Sequence, residues 1–231
     1  MYASLRLTLV TLLLFISIGC IASNEETTVT IRETEKVSNK SGNIFQLRRL
    51  NVQCHDNEVL SYWHLISHAG KIHIKYYCIQ GLSVIITNEI RYTPWNKTNK
   101  DQKRSVNYLD RHRVLCNEDE AIGSFQMEKS GKKIRFRYRC NKIKAGTPKT
   151  KTTKWEKAGL GEVQNLDVQT IAGDDYKQNS EVLRGWIMRT KYVNRWCNIM
   201  CDATQYIRFE TIYSKLVKPE PTVEEDLDID F

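Results

Sequence analysis

The sequence lacks the signatures by which short motifs announce catalysis. It has no Gly-x-Ser-x-Gly elbow, no His-Glu-x-x-His pair and no Cys-x-x-Cys pair, so no motif points to a serine hydrolase or a zinc centre. No spacing of acids matches an EF-hand; "NEDE" (117–120) and "GDD" (173–175) read as acidic turns. No nucleic-acid-binding motif accompanies the net charge of +8. No segment sustains an i, i+3, i+4 apolar pattern well, which leaves little room for helix. "DYKQNSEVLRGWIM" (175–188) is the best helical candidate. No long hydrophobic run follows the first twenty residues, so no membrane span is expected in the mature form.

What is present begins with "MYASLRLTLVTLLLFISIGCIAS". One positive charge (Arg6), an apolar run from Leu7 to Ile18 and small residues up to Ala22 have the layout of a secretory signal peptide. Cleavage there removes Cys20 and leaves six cysteines: Cys54, Cys78, Cys116, Cys140, Cys197 and Cys201. An even number in a secreted chain reads as disulfides. Two sequons, at Asn39 and Asn96, suit an extracellular glycoprotein.

Cys54 and Cys116 lie 62 residues apart, and so do Cys78 and Cys140. At that offset "LRRLNVQCHDNEVLSYWHLISHAGKIHIKYYC" (47–78) aligns without gaps over "LDRHRVLCNEDEAIGSFQMEKSGKKIRFRYRC" (109–140). Trp63 falls on Phe125, Leu65 on Met127, Ile74 on Phe136 and Tyr76 on Tyr138. A degenerate third copy reads "NLDVQTI" (165–171), "LRGWIM" (183–188) and "YIRFETI" (206–212), with Gly173 at the first cysteine position; a rival alignment ends it at "VNRWC" (193–197). Within each copy the alternation has period 2 on either side of a polar turn, which predicts a β-hairpin with one apolar face. Cysteines flanking a hairpin favour pairing within each copy: Cys54–Cys78, Cys116–Cys140 and Cys197–Cys201. A loop of about 25 residues closed in this way contributes on the order of 3 kcal/mol. Links between copies are the rival pairing. The expected class is all-β: three Cys-framed β-hairpin repeats, packed pseudo-threefold like a β-prism or strung as small modules. Trp63, Phe125 and Trp186, at equivalent positions, are expected on the inner face as core; stacking on a ligand is the alternative.

A cysteine, about eight residues, an aromatic-x-apolar strand, a loop and then "IRFRYRC" resembles the repeat of the vitelline membrane outer layer family, and more loosely the Cys-framed repeats of dermatopontin-like proteins. The resemblance implies a secreted protein of three such units in a β-prism, and carries no site residue with it.

The charge is unevenly spread. Residues 130–154 hold ten Lys and Arg and no acid, whereas "EPTVEEDLDIDF" (220–231) is acidic. Arg135, Arg137 and Arg139 alternate with Ile134, Phe136 and Tyr138, so an inward apolar set places the three arginines on one outer face. That face is either a solvated surface that discourages edge aggregation or a polyanion-binding row of Lys133, Arg135, Arg137, Arg139 and Lys142. The partners expected for such a row are acidic or sulfated glycans or an extracellular matrix protein. His55, His64, His68 and His73 cluster in the first copy, but their spacing suits no zinc site, and neither metal nor cofactor is expected.

The resulting layout is a signal peptide (1–22), a polar segment (23–46) in which "TVTIRETEKV" could add an edge strand, copy one (47–105), copy two (106–162), copy three (163–218) and a disordered acidic tail (219–231). The leading expectation is a secreted, non-enzymatic glycoprotein that binds glycans or matrix or helps build a coat. The rival is a secreted glycan-active hydrolase with dispersed carboxylates.

Overall fold

The computed structural model describes residues 27–39, 42–81, 84–98, 106–157, 166–167, 169–173, 180–194 and 203–217. The expected signal peptide, the acidic tail, and Cys197 and Cys201 with their expected pairing lie outside these residues.

Five strands occur in the same order three times. The first round is β1 (Thr28–Glu33), β2 (Val37–Ser38), β3 (Val52–Gln53), β4 (Glu58–His68) and β5 (Lys71–Gln80). The second is β6 (Val84–Tyr92), β7 (Asn96–Lys97), β8 (Arg113–Leu115), β9 (Glu120–Ser130) and β10 (Lys133–Ile143). The third is β11 (Lys149–Thr152), β12 (Glu156–Lys157), β13 (Thr170–Ala172), β14 (Glu181–Asn194) and β15 (Ala203–Lys215). A short 3-10 turn precedes the third strand of the first two rounds, at Ile44–Arg49 and Val106–Arg111.

The class is all-β, as the alternation predicts. Each round's last two strands form the expected hairpin at the centre of an antiparallel five-stranded sheet. The tips turn through left-handed backbone, at Ala69 and Gly70 in the first and Gly131 in the second. "TVTIRE" does add an edge strand, β1, on β5; β6 and β11 take the same place on β10 and β15. The short middle strand of each round crosses to a different sheet. β3 pairs with β9, β8 with β14, and β13 with β4. Strand exchange therefore closes a ring, and the three hairpins are neither independent nor strung as separate modules. A lone hairpin is marginal in water; here each has neighbours on both edges.

The alternation sends one side of every hairpin to a shared core. Trp63, Phe125 and Trp186 meet at its centre, with ring centroids 5.3, 5.5 and 5.9 Å apart. All three are buried. Their matched positions in the copies are matched positions on β4, β9 and β14, so the core reading holds for these aromatics. Leu47, Leu109 and Leu166, one from each copy, line the same central space.

One local device recurs three times. Thr34, Thr93 and Thr153 each donate a backbone N–H to the carbonyl of Ile74, Phe136 or Phe209, at 2.9 Å. Each hydroxyl accepts the N–H of that same residue, at 2.9–3.0 Å. The clasp falls between two short outer strands and keeps the ladder's donors paired where regular pairing lapses.

The third copy resolves in favour of the alignment through "YIRFETI". β15 runs from Ala203 and pairs with β14 along its length, which places Tyr213 where the other copies have Cys78 and Cys140. A Cβ on Gly173 would lie 2.3 Å from a Glu181 carboxylate oxygen and 2.8 Å from the Tyr213 ring. Glycine thus leaves room for the tyrosine ring that replaces a disulfide. The helical candidate 175–188 contains β14 from Glu181 onward, and its residues 175–179 lie outside those described.

Candidate functional site

Cys54–Cys78 and Cys116–Cys140 are disulfides, paired within copies as the hairpin argument favours. Oxidised cysteines indicate an oxidising compartment. Beside each bridge lies a buried carboxylate. Glu58 accepts from both Nη atoms of Arg32, at 2.5 and 3.0 Å, and from the His55 N–H at 2.8 Å. Glu120 repeats this with Arg91, at 2.7 and 3.0 Å, and the Asn117 N–H at 2.8 Å. Desolvation pushes the Glu58 carboxyl upward, but the Arg32 and His55 hydrogen bonds and the Arg32 charge outweigh it and hold the pKa below the usual range. These acids close the loop after each first cysteine. Sequence reasoning took Glu120 only as part of the acidic turn "NEDE" and did not single out Glu58, although the two coincide in the gapless alignment. Arg32 and Arg91 precede the aligned stretch.

The outer face of the second sheet holds the basic row, and its members differ in what they do. Arg135 is clamped: its Nε donates to Glu128 at 2.7 Å, and its guanidinium lies 3.9 Å over Tyr92 and 4.4 Å over Trp95. Arg139 is committed to the seam with the first copy. It donates to Asp56 (2.7 Å) and to the carbonyls of Cys54 (2.9 Å) and His55 (3.2 Å). Gly123 makes this possible, because a Cβ there would lie 3.0 Å from the Arg139 Nε. Arg184, at the Gly123 position of the third copy, reaches the Asn117 carbonyl and so serves the next seam. Lys133 is exposed near the hairpin tip. Lys142 is nine residues away, about 30 Å along an extended strand, and 3.8 Å from Asp119. Of the expected row, Arg135 and Arg139 thus have partners within the fold, and Lys142 stands apart.

Arg137 is the exception. It is exposed and makes no hydrogen bond or ion pair with a described residue. It opens onto a hollow of about 230 Å³ on the sheet's outer side. Asn51 and Gln53 border this hollow from the first copy, Ser124 and Gln126 from β9, and Ile90 from β6. Arg137 lies opposite Gln126 on one side and Tyr92 on the other. Tyr92 and, beside Arg135, Trp95 are 47% and 37% exposed, each with the Arg135 guanidinium over its ring. The amides and aromatics come from strands distant in sequence, which is why the pattern around Arg137 was not legible there.

The remaining candidates scatter. Asn39 is buried, and the rest of its sequon, residues 40 and 41, lies outside the described residues. Asn96 is half-buried, with Nδ2 donating to the carbonyls of Pro94 and Arg111 at 3.3 and 3.2 Å. His64 bonds Thr170 at 3.0 Å, His73 lies 3.5 Å from Glu33, and His55 lies 3.2 Å from Arg32. His68 is exposed at a hairpin tip. The groupings with metal-ligand geometry, Cys54–Glu58–Cys78 and Cys116–Glu120–Cys140, have their sulfurs in disulfides and their carboxylates on arginines. Of "NEDE", Glu120 faces inward to Arg91, and Asp119 faces Lys142.

No protein-family model, no curated protein and no solved structure matches this chain.

Proposed function

We propose that the chain is a secreted, non-enzymatic protein that binds acidic glycans on the outer face of its second sheet. The observation that carries the reading is Arg137, a guanidinium without a partner among the described residues, beside a hollow edged with amides and next to the part-exposed Tyr92. Guanidinium forks suit carboxylate and sulfate groups. Amide side chains suit hydroxyls, and aromatic faces suit the apolar faces of sugar rings. The signal-like leader and the two disulfides support an extracellular setting. The three-round architecture supports the kinship with vitelline membrane outer layer proteins suggested by the repeat. A coat or matrix is the natural place for such a ligand.

The test is retention on immobilised heparin. Arg137→Ser should elute at clearly lower salt than the wild type with an unchanged melting temperature. Deleting residues 220–231 should raise the eluting salt if the acidic tail covers the basic face. Unchanged elution of Arg137→Ser would overturn the reading. Arg135 and Arg139 are poor probes, because removing either disturbs the packing just described.

A further inference from the structure

We infer that the third sheet carries a second anion site, built from Arg189, Lys191 and Arg208, which takes the sulfate groups of a sulfated glycan and makes the protein bivalent. This rests on the glycan-binding reading and extends it to a different face.

Equivalent cross-strand pairs differ among the three sheets. On the first sheet Ile66 stands opposite His73. On the second, Glu128 stands opposite Arg135 and pairs with it. On the third, that position holds Arg189 opposite Arg208. Like charges directly opposite each other in a sheet are unfavourable, and the second sheet displays the favourable alternative. The acid that answers Arg189 is instead Glu210, at the place of Arg137 in the second sheet, so one carboxylate serves two guanidinia that face each other.

The surroundings hold this repulsive pair in place. Glu210 receives Arg189 at 3.1 and 3.2 Å and lies 3.6 Å from Arg208. Trp155, at the position of Trp95, carries the Arg208 guanidinium at 4.6 Å and the Lys191 ammonium at 4.4 Å. Two guanidinia thus share one carboxylate, with the Lys191 ammonium on the same tryptophan ring as Arg208, a local surplus of positive charge that Asp110, bonded to Thr190, offsets only in part. Arg189 is 48% exposed and Arg208 33%, and Lys191 is exposed. A strong, small oxyanion with several acceptor oxygens matches two guanidinia and an ammonium better than a single uronate carboxylate does. Sulfate and phosphate esters share this chemistry; the extracellular reading selects sulfate. Because this sheet and the Arg137 sheet are different sides of one ring, two polymer chains could be held at once, which is what a protein that consolidates a coat requires.

The experiment is isothermal titration of the full mature chain with a fully sulfated heparin hexasaccharide. The variants are Arg137→Ser, Arg189→Glu and Arg189→Ser, with melting temperatures measured in parallel. Two sites are expected on the wild type and one on each variant. Arg189→Glu places an acid opposite Arg208, as in the Glu128–Arg135 pair, but gives up the ion pair with Glu210 and should melt slightly below the wild type. Arg189→Ser provides a neutral control if the reversal is not tolerated. A desulfated hexasaccharide should lose the Arg189-dependent site, and inorganic polyphosphate filling that site more tightly than the sugar would overturn the sulfate assignment. A single site on the wild type, unaffected at residue 189 and lost in Arg137→Ser, would overturn the second site and leave the first. Loss in the residue 189 variants with none in Arg137→Ser would sink the Arg137 reading and retain this one.

Discussion

His112 lies wholly inside the second copy, with its Nδ1 2.7 Å from the Thr93 hydroxyl and its ring edge-on to Phe136. Burial, with help from the Arg111 charge, pushes its pKa down to about 4 from the usual 6.5. In the unfolded chain the ring regains a pKa near 6.5. Between these values the unfolded state binds the extra proton, so stability falls as pH drops below about 6.5 and stops falling below about 4. A gap of about 2.5 units at 1.36 kcal/mol per unit corresponds to roughly 3 kcal/mol lost in full. His64 and His73 are also held low by burial and act in the same direction, so a variant must isolate His112. The fold supplies the replacement. Leu50 and Gln169 occupy the equivalent buried positions, and the Gln169 amide donates to the Lys154 carbonyl at 3.2 Å. In His112→Gln the corresponding acceptor is the Pro94 carbonyl. The variant should lose about 1 kcal/mol or less at pH 7.5, and between pH 7 and pH 4 it should lose roughly 3 kcal/mol less than the wild type. Urea unfolding at pH 7.5, 5.5 and 4 reads both quantities. Equal losses in the two proteins, or an NMR titration of His112 near pH 6.5 in the folded state, would refute the reasoning.

Three further perturbations probe the frame. Glu58→Gln leaves the Arg32 guanidinium half-buried without its counter-charge and should cost about 3 kcal/mol in urea unfolding; a loss below 1 kcal/mol would mean that water serves Arg32 equally well. Gly173→Ala drives a methyl into the Glu181 carboxylate and the Tyr213 ring and should cost about 1–3 kcal/mol by thermal melting, whereas Gly131→Ala, which meets no atom, strains only its left-handed backbone and should cost less. Non-reducing peptide mapping should recover Cys54 with Cys78 and Cys116 with Cys140, and removing either bridge should cost about 2–5 kcal/mol; a Cys78–Cys116 peptide would contradict the fold.

What the sequence made legible was the repeated part. Period-2 alternation identified β4, β5, β9 and β10, because a sheet with one dry face must alternate. The gapless offset identified which residues meet at the centre, because equivalent positions in a ring face a common axis. The exchange of β3, β8 and β13 between sheets was not legible, since strands of two or three residues carry no period. The basic strand shows how far pattern reaches. Alternation correctly put Arg135, Arg137 and Arg139 on one side of β10, yet it could not distinguish a clamp on Glu128, a seam contact to the Cys54 carbonyl and an open fork. Those roles depend on Gly123, Asp56 and Trp95, which come near only through folding. The Arg189–Arg208 opposition was hidden similarly, because the degenerate copy left the register of β15 open.

The most direct test of the glycan-binding account is a two-dimensional NMR titration of the mature chain with a short sulfated hexasaccharide, following side-chain as well as backbone signals. The account predicts that the Arg137 Nε–H, the Gln53 and Gln126 amides and the Tyr92 ring shift together and saturate, with intermolecular contacts from a sugar ring to Tyr92 or Trp95. Shifts spread evenly over the lysines of the surface, with the Arg137 Nε–H unmoved, would contradict it.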